Sequence, residues 1–178
     1  MWFNPRPKDS TSVLAFKFVS LFLLLFISSY FLLSLTPFPN HIAAIGSQLS
    51  LKLLFGLDSS IDYSSQFPQI RTPNISASIL DLCSGALEIA VMFGIIFASM
   101  EKKISYRIKG FVAGLLLLLI FNSLRISTTI YYFNLGAIEW SAALHDFLFR
   151  IFLIVILVTY YAIWYFYDQP RKKRKRRR

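Results

Sequence analysis

The stretch that decides the fold is residues 111–133, which read FVAGLLLLLIFNSLRISTTIYYF. This run exceeds the roughly 20 apolar residues that cross a bilayer as a helix, and its only charged residue is Arg125. Similar runs occur at about Val13–Leu35, Ile79–Met100 and Ala143–Tyr167. The chain of 178 residues is 56% hydrophobic, which is more than a soluble domain of this size needs. The sequence therefore predicts an all-α, polytopic membrane bundle of about four transmembrane helices.

The basic residues lie beside these apolar runs. The formal net charge is +10, and the tail Arg171–Arg178 is basic at every position. Basic flanks of apolar spans are typical of membrane topology and do not indicate nucleic-acid binding. We therefore expect a single membrane-embedded domain over residues 1–170. Residues 171–178 are predicted to form a cytoplasmic tail that contacts anionic lipids.

The charges of the connecting segments predict the orientation. The loop Glu101–Lys109 carries four basic residues, whereas Asn134–Ser141 carries none. The positive-inside rule places this loop and both termini in the cytoplasm and the stretch Thr36–Ser78 outside the cell membrane. Within that outer stretch, Ile42–Leu57 has the apolar spacing of a short amphipathic helix lying on the interface. The polar segment Asp58–Asn74, with its prolines, is predicted to be a loop.

Reactive side chains fall in the predicted outer half of three spans. Cys83 lies about four residues into the second span, or roughly 6 Å deep at 1.5 Å per residue. Arg125 lies about eight residues, or roughly 12 Å, from the outer end of the third span. His145 opens the fourth span, and Arg150 lies near its second turn. The orientation is derived from the loop charges alone, without reference to these residues. Their shared position in the outer half of three spans is therefore an independent observation.

Helical spacing also favours a shared interior for these groups. On the second span, small residues that permit close helix packing follow Cys83 on one side, at Ala86, Ala90 and Gly94. On the third span, a polar stripe is formed by Asn122, Arg125, Thr129 and Tyr132. A polar stripe in an otherwise apolar span is expected to face the bundle interior or a wet cavity.

The chemistry of this set suits a nucleophilic site. Cys83 is the only cysteine, so the chain has no internal disulfide and no multi-cysteine metal site, and no metal or cofactor is expected. A fixed cation such as Arg125 favours a thiolate and can stabilise an oxyanion. His145 can supply and accept protons near neutral pH. Together they would support attack of Cys83 on a carbonyl, an acyl-thioester, and transfer to a second nucleophile.

Each residue also has a non-catalytic interpretation. A lone cysteine in a span is usually a small hydrophobic residue. Arg125 can pair with Glu88, and Arg150 can pair with Asp146 four residues earlier. The alternative function is therefore a small non-enzymatic membrane protein, such as an assembly factor or transporter subunit, with a structural pair of Arg125 and Glu88.

Three short motifs lie in order on consecutive predicted spans: Cys83-Ser-Gly85, Asn122-x-x-Arg125-Ile126, and His145. In this order they resemble the exosortase/archaeosortase family of integral membrane cysteine transpeptidases, over about Asp81–Phe152. The resemblance implies that Cys83 is the nucleophile and Arg125 is required. It also implies a third polar residue, which is His in exosortases and Arg in archaeosortases, so His145 and Arg150 are both candidates.

The resemblance further implies a substrate and a side of the membrane. Such enzymes are peptidases or transpeptidases that cleave secreted surface proteins at a C-terminal sorting tail. The tail has a short recognition motif, one transmembrane helix and a basic cluster, and cleavage falls on the extracytoplasmic face. This chain has fewer predicted spans than larger family members, so helices that bind the substrate are either missing or supplied by a partner.

Overall fold

The computed structural model describes residues 11–147 and 153–167, and these are mostly helical, as predicted. Within those ranges the helices are α1 Thr11–Ser34, α2 Phe38–Phe55, α3 Ala86–Ala98, α4 Ile104–Asn134, α5 Ile138–Phe147 and α6 Leu153–Tyr167. A small antiparallel sheet lies between α2 and α3, with strands β1 Ser60–Asp62, β2 Gln69–Arg71 and β3 Ser76–Ser78 in the order β1-β2-β3. A 3-10 turn, Asp81–Cys83, connects the sheet to α3.

Two of the described helices, α1 and α4, are long and apolar enough to cross a membrane. The helix α3 has 13 residues, about 20 Å at 1.5 Å per residue, and is shorter than a hydrocarbon core of about 30 Å. The predicted second span, Ile79–Met100, thus becomes an α-helix only at Ala86. The predicted fourth span, Ala143–Tyr167, covers the end of α5 and all of α6, and residues 148–152 between them lie outside the described residues.

The first core cluster joins α2, the sheet and the second half of α4. Its buried apolar residues are Ala43, Ala44, Leu51, Ile70, Ile79, Ile126 and Ile130. Gly46 permits the close approach of α2 to α4, because a Cβ at this position would collide with the Ser123 side chain. The predicted helix at Ile42–Leu57 is therefore present, with small residues packed inward. Its large apolar residues Leu49, Leu53 and Leu54 are exposed.

The second core cluster joins α3, the first half of α4 and α6. Its buried residues are Met92, Ile96, Leu118 and Trp164. Gly110 lies against the Trp164 indole, where a side chain on α4 would collide with the ring. The Tyr160 hydroxyl donates a hydrogen bond to the Gly110 carbonyl at 2.5 Å. Close packing at this glycine therefore fixes α6 against α4.

The prediction of a loop at Asp58–Asn74 was wrong, because this stretch supplies β1 and β2. Each strand has only three residues, too few for an alternating pattern to stand out beside the prolines. Ile70 is fully buried in the first core cluster, and an ion pair joins Arg71 of β2 to Asp62 of β1. The sheet thus packs one apolar side chain on the helices, and a solvent-exposed charge pair joins two of its strands.

Candidate active site

Cys83 lies in the 3-10 turn before α3 and not inside a helix, which corrects the sequence prediction. Its N–H donates to the Leu80 carbonyl at 2.8 Å, and the Ser84 N–H donates to the Asp81 carbonyl at 3.2 Å. Gly85 follows with φ 82°, in the left-handed region that favours glycine. Because Gly85 ends the turn in this conformation, the regular helix begins at Ala86. Cys83 is half-buried and lies three residues before that helix start.

Two buried side chains of α4 hold this turn. The Asn122 amide Nδ2 and the Arg125 guanidinium Nη2 each donate a hydrogen bond to the Cys83 carbonyl oxygen at 3.1 Å. The two residues are three positions apart and so share one face of α4. The predicted polar stripe is indeed interior, since Asn122, Arg125 and Thr129 are all buried. The fold thus brings Cys83 and Arg125 together across 42 residues of sequence.

Gly85 also sets how closely the turn approaches α4. A Cβ at Gly85 would lie 3.2 Å from Asn122 Nδ2, which is tighter than most real Cβ contacts. A larger residue would therefore press on the amide that holds the Cys83 carbonyl. The glycine of the Cys83-Ser-Gly85 motif has two local roles: it adopts the positive φ, and it leaves room for Asn122.

A third anchor comes from α2. The buried Asn40 donates through Nδ2 to Asp81 Oδ1 at 2.8 Å and lies 3.4 Å from the Ile79 carbonyl oxygen. Sequence reasoning missed Asn40, because a polar residue following Pro39 in the first turn of a helix resembles an ordinary helix start. The useful signal was its neighbourhood, since a lone amide in the apolar stretch Phe38–Ile45 needs a partner.

The structure leaves the third candidate residue open. His145 belongs to α5, which packs against α4, but its side chain is not among those described. Arg150 lies outside the described residues altogether. Both remain candidates for the third polar residue of the site.

Glu88 lies in the first turn of α3 and is buried. In the described part of the chain, the ion pair at contact distance is that of Arg71 with Asp62, and none joins Glu88 to Arg125. The two side chains interact only through longer-range electrostatics. The tight structural pair expected of a non-enzymatic membrane protein is therefore not formed. Over these same residues, no group of three or more His, Cys, Asp and Glu side chains converges as a metal site would require.

Two features of the turn place positive charge beside Cys83, whereas the buried Glu88 carboxylate in the first turn of α3 acts against an anion there. Cys83 precedes the N-terminus of α3, where the helix dipole places partial positive charge. Arg125 adds a full positive charge to the same place. A thiolate, or the oxyanion of an acyl-transfer intermediate, is the kind of group that both features stabilise.

With this geometry in place, the comparison with known families is decisive. The family model for transmembrane exosortases matches residues 6–162. The chain belongs to the transmembrane exosortase family. The match extends well beyond Asp81–Phe152, on which the resemblance of the motifs rested, and includes α1 and α2. No curated protein and no solved structure matches the chain. Membership makes this exosortase a membrane protein with a sorting role of the transpeptidase type.

Proposed function

We propose that this exosortase is a membrane-embedded cysteine transpeptidase that cleaves the C-terminal sorting tail of secreted surface proteins through an acyl-thioester on Cys83. The observation that carries the proposal is the double hydrogen bond from Asn122 and Arg125 to the Cys83 carbonyl. It fixes the sole cysteine of the chain at the positive end of α3, beside a guanidinium.

The reaction begins with attack of the Cys83 thiolate on the scissile carbonyl carbon. The carbonyl oxygen becomes an oxyanion, which Arg125 stabilises electrostatically. The C–N bond then breaks, the departing amine takes a proton from protonated His145, and the thioester is left. If Arg150 is the third residue instead, its guanidinium keeps its proton and stabilises charge, and water supplies the proton to the amine. An acceptor nucleophile attacks the thioester, gives up its proton, and releases the Cys83 thiol.

The proposed topology has four membrane crossings, with both termini and the loop Glu101–Lys109 in the cytoplasm of a plasma or inner membrane. The basic content of this loop and of the tail Arg171–Arg178 supports it. The Cys83 turn then faces the extracytoplasmic side, and the tail contacts anionic lipids. Reporter fusions placed after Arg178 and within residues 58–74 should report opposite sides of the membrane. Fusions that report the same side would rule out this topology.

The substrates in this proposal are secreted proteins that end in a short recognition motif, a transmembrane helix and a basic cluster. The basic cluster would remain in the cytoplasm, so the motif would emerge on the side of the Cys83 turn. This agreement between substrate and enzyme topology supports cleavage on the extracytoplasmic face.

The decisive test is the thioester. A surface protein with such a tail, expressed together with the full-length enzyme, should form an adduct with Cys83 that mass spectrometry detects. Neutral hydroxylamine should release it, because thioesters are cleaved by this reagent and amides are not. Cys83→Ala should form no adduct and leave the tail uncleaved. Full processing by a well-expressed Cys83→Ala protein would refute the mechanism.

A further inference from the structure

A small cavity of about 10 Å³ lies beside the Cys83 turn. Its lining includes Gly85 of the turn, Glu88 of α3, and Asn122 and Leu118 of α4. The volume corresponds to about one water molecule. The cavity is thus too small for a substrate group, and its size alone limits the occupant to a water.

Two polar atoms of the residues that line this cavity have unmet hydrogen-bonding capacity. Glu88 Oε2 and Asn122 Oδ1 are both buried, and neither has a hydrogen-bond partner in the described part of the chain. The residues are 8% and 4% exposed, so bulk water does not solvate them. An amide oxygen only accepts hydrogen bonds, and a carboxylate oxygen does the same. Buried acceptors without a donor are rare, and a water molecule in this cavity has two O–H groups, one for each of them.

The orientation of Asn122 connects this cavity to the nucleophile. Its Nδ2 donates to the Cys83 carbonyl, so its Oδ1 must point to a different partner. An amide whose oxygen lacks a donor can turn over and place that oxygen against the Cys83 carbonyl, where two acceptors repel. A donor on Oδ1 therefore keeps the Nδ2 bond to Cys83 in place.

We propose that the cavity binds one water molecule, which donates to Glu88 and to Asn122, and that Glu88 is thereby a positioning residue for Cys83. The chain of contacts runs from the Glu88 carboxylate through the water to the Asn122 amide and on to the Cys83 carbonyl. The importance of these contacts for catalysis rests on the proposed function. The water site and the anchoring of the turn do not depend on that function.

The competing role for Glu88 is a counter-charge for Arg125, and two substitutions separate the roles. Glu88→Gln removes the charge and keeps a hydrogen-bonding group of the same shape. Glu88→Leu removes both and keeps a similar volume. Positioning through hydrogen bonds requires that Gln behaves like the natural residue and Leu does not. A counter-charge role requires that both variants change alike.

The experiment measures hydrogen exchange of the Cys83 and Ser84 amides in the full-length, detergent-solubilised protein. Both amides are hydrogen-bonded within the turn and report its opening. In Glu88→Leu they should exchange about fivefold faster or more, the effect of one lost hydrogen bond. In Glu88→Gln they should stay within about twofold of the natural protein. Glu101→Leu, an exposed carboxylate three residues beyond the C-terminal end of α3, is the control and should leave both amides unchanged. Equal acceleration in the Gln and Leu variants, or none in either, would overturn the proposal.

A second variant tests whether Glu88→Leu acts through this hydrogen-bond network or through a general loss of structure. Asn122→Leu removes the link between the water and Cys83, so it should accelerate the same amides. The double variant should then be no worse than Asn122→Leu alone, because residues of one network are not additive. Additive effects would overturn the proposal. A dry cavity in an experimental structure that resolves single waters would also overturn it. These measurements need no substrate, so their failure is distinguishable from failure of the transpeptidase proposal.

Discussion

Two arginines on α4 hold the two ends of α3, and they do so in different ways. At the C-terminal end, the half-buried Arg107 donates three hydrogen bonds, to the carbonyls of Phe97, Met100 and Lys102, at 2.8 to 3.1 Å. At the N-terminal end, the buried Arg125 donates to the Cys83 carbonyl, about 27 Å further along α4 at 1.5 Å per residue. Both side chains come from one helix and both bind backbone oxygens.

The helix dipole makes these two positions unequal. A cation at a helix C-terminus is favoured by the dipole and satisfies carbonyls that have no helical partner, so Arg107 needs no function beyond stability. A cation at a helix N-terminus is disfavoured by the same dipole. Arg125 is also buried, which adds a desolvation cost. Two anions can offset these costs: the buried Glu88 carboxylate, which interacts with Arg125 at longer range, and under the proposed function a thiolate or an oxyanion formed at Cys83.

The most direct test of this comparison is to change each arginine to lysine in a separate variant. Arg125→Lys should fold and insert, yet lose activity by on the order of 10²–10³, because an ammonium cannot reproduce the forked guanidinium geometry. Arg107→Lys should keep its turnover and lose about 1–3 kcal/mol of stability, since one ammonium cannot make all three hydrogen bonds at these sites. Processing rate and thermal stability of the two purified variants are the measurements.

Expression must be matched between these two variants, because lower abundance would imitate lower activity. The comparison would fail if Arg125→Lys processed its substrate at a near-normal rate. It would also fail if Arg107→Lys lost as much turnover as Arg125→Lys.

The sequence predicted the helices better than the turn. Long apolar runs identified α1 and α4, and the polar stripe around Asn122 and Arg125 was correctly placed inside. The break before α3 was not predicted, because the run from Ile79 is apolar enough to continue as helix. The positive φ of Gly85 and the hydrogen bonds of the Ser84 hydroxyl to Asp81 and Ala86 interrupt it, while Asn122 and Arg125 of α4 bind the turn from outside.

The candidate site, like the turn, was only partly predictable from the sequence. Cys83 and Arg125 stand out by residue type, and their proximity follows from topology. The anchor Asn122 acts through a backbone carbonyl, which carries no sequence signature, and the anchor Asn40 acts mainly through the Asp81 carboxylate, which is 41 residues away in sequence. Glu88 was noticed as a possible partner for Arg125, but its place on a cavity with Asn122 depends on how α3 and α4 pack. Contacts of this kind cannot be derived from spacing along one helix.

A smaller effect is expected from Gly85→Ala, which tests whether the turn needs its close approach to α4. The new Cβ would be strained at positive φ and would press on Asn122 Nδ2, so we expect a cost of about 1–2 kcal/mol in stability. Cys83 would also shift, and a misplaced reacting group can cost up to about 100-fold in rate. Processing rate and thermal stability are again the measurements.

Gly56→Ala is the matched control for this change. Gly56 ends α2 with φ 60°, and a Cβ added at this position would meet no atom within 4 Å. The strain of a left-handed alanine is therefore present there without the contact to Asn122. We expect a similar loss of stability and normal turnover. Equal loss of turnover in both variants would mean that strain alone, and not the approach to Asn122, explains Gly85.

The smallest effect should come from the sheet, which is joined to the Cys83 turn through Ile79 and Leu80 and packs on the same core cluster. Hydrogen bonding by Ser64, with its N–H donating to Asp62 Oδ1 at 2.8 Å, and the nearby Arg71 hold the pKa of Asp62 below its usual value. A lowered folded-state pKa stabilises the β1–β2 hairpin above the unfolded-state pKa of about 3.9, and that stabilisation is lost as the pH falls through the folded-state value.

Amide exchange at Ile61 and Ile70 should therefore become faster below about pH 4, relative to intrinsic exchange at the same pH. Asp62→Asn should remove this pH dependence. Exchange at Cys83 should not follow it, because α4 and α2 hold the turn independently of the hairpin. If exchange at Cys83 rose together with that at Ile70, the sheet would also be one of the elements that hold the candidate site.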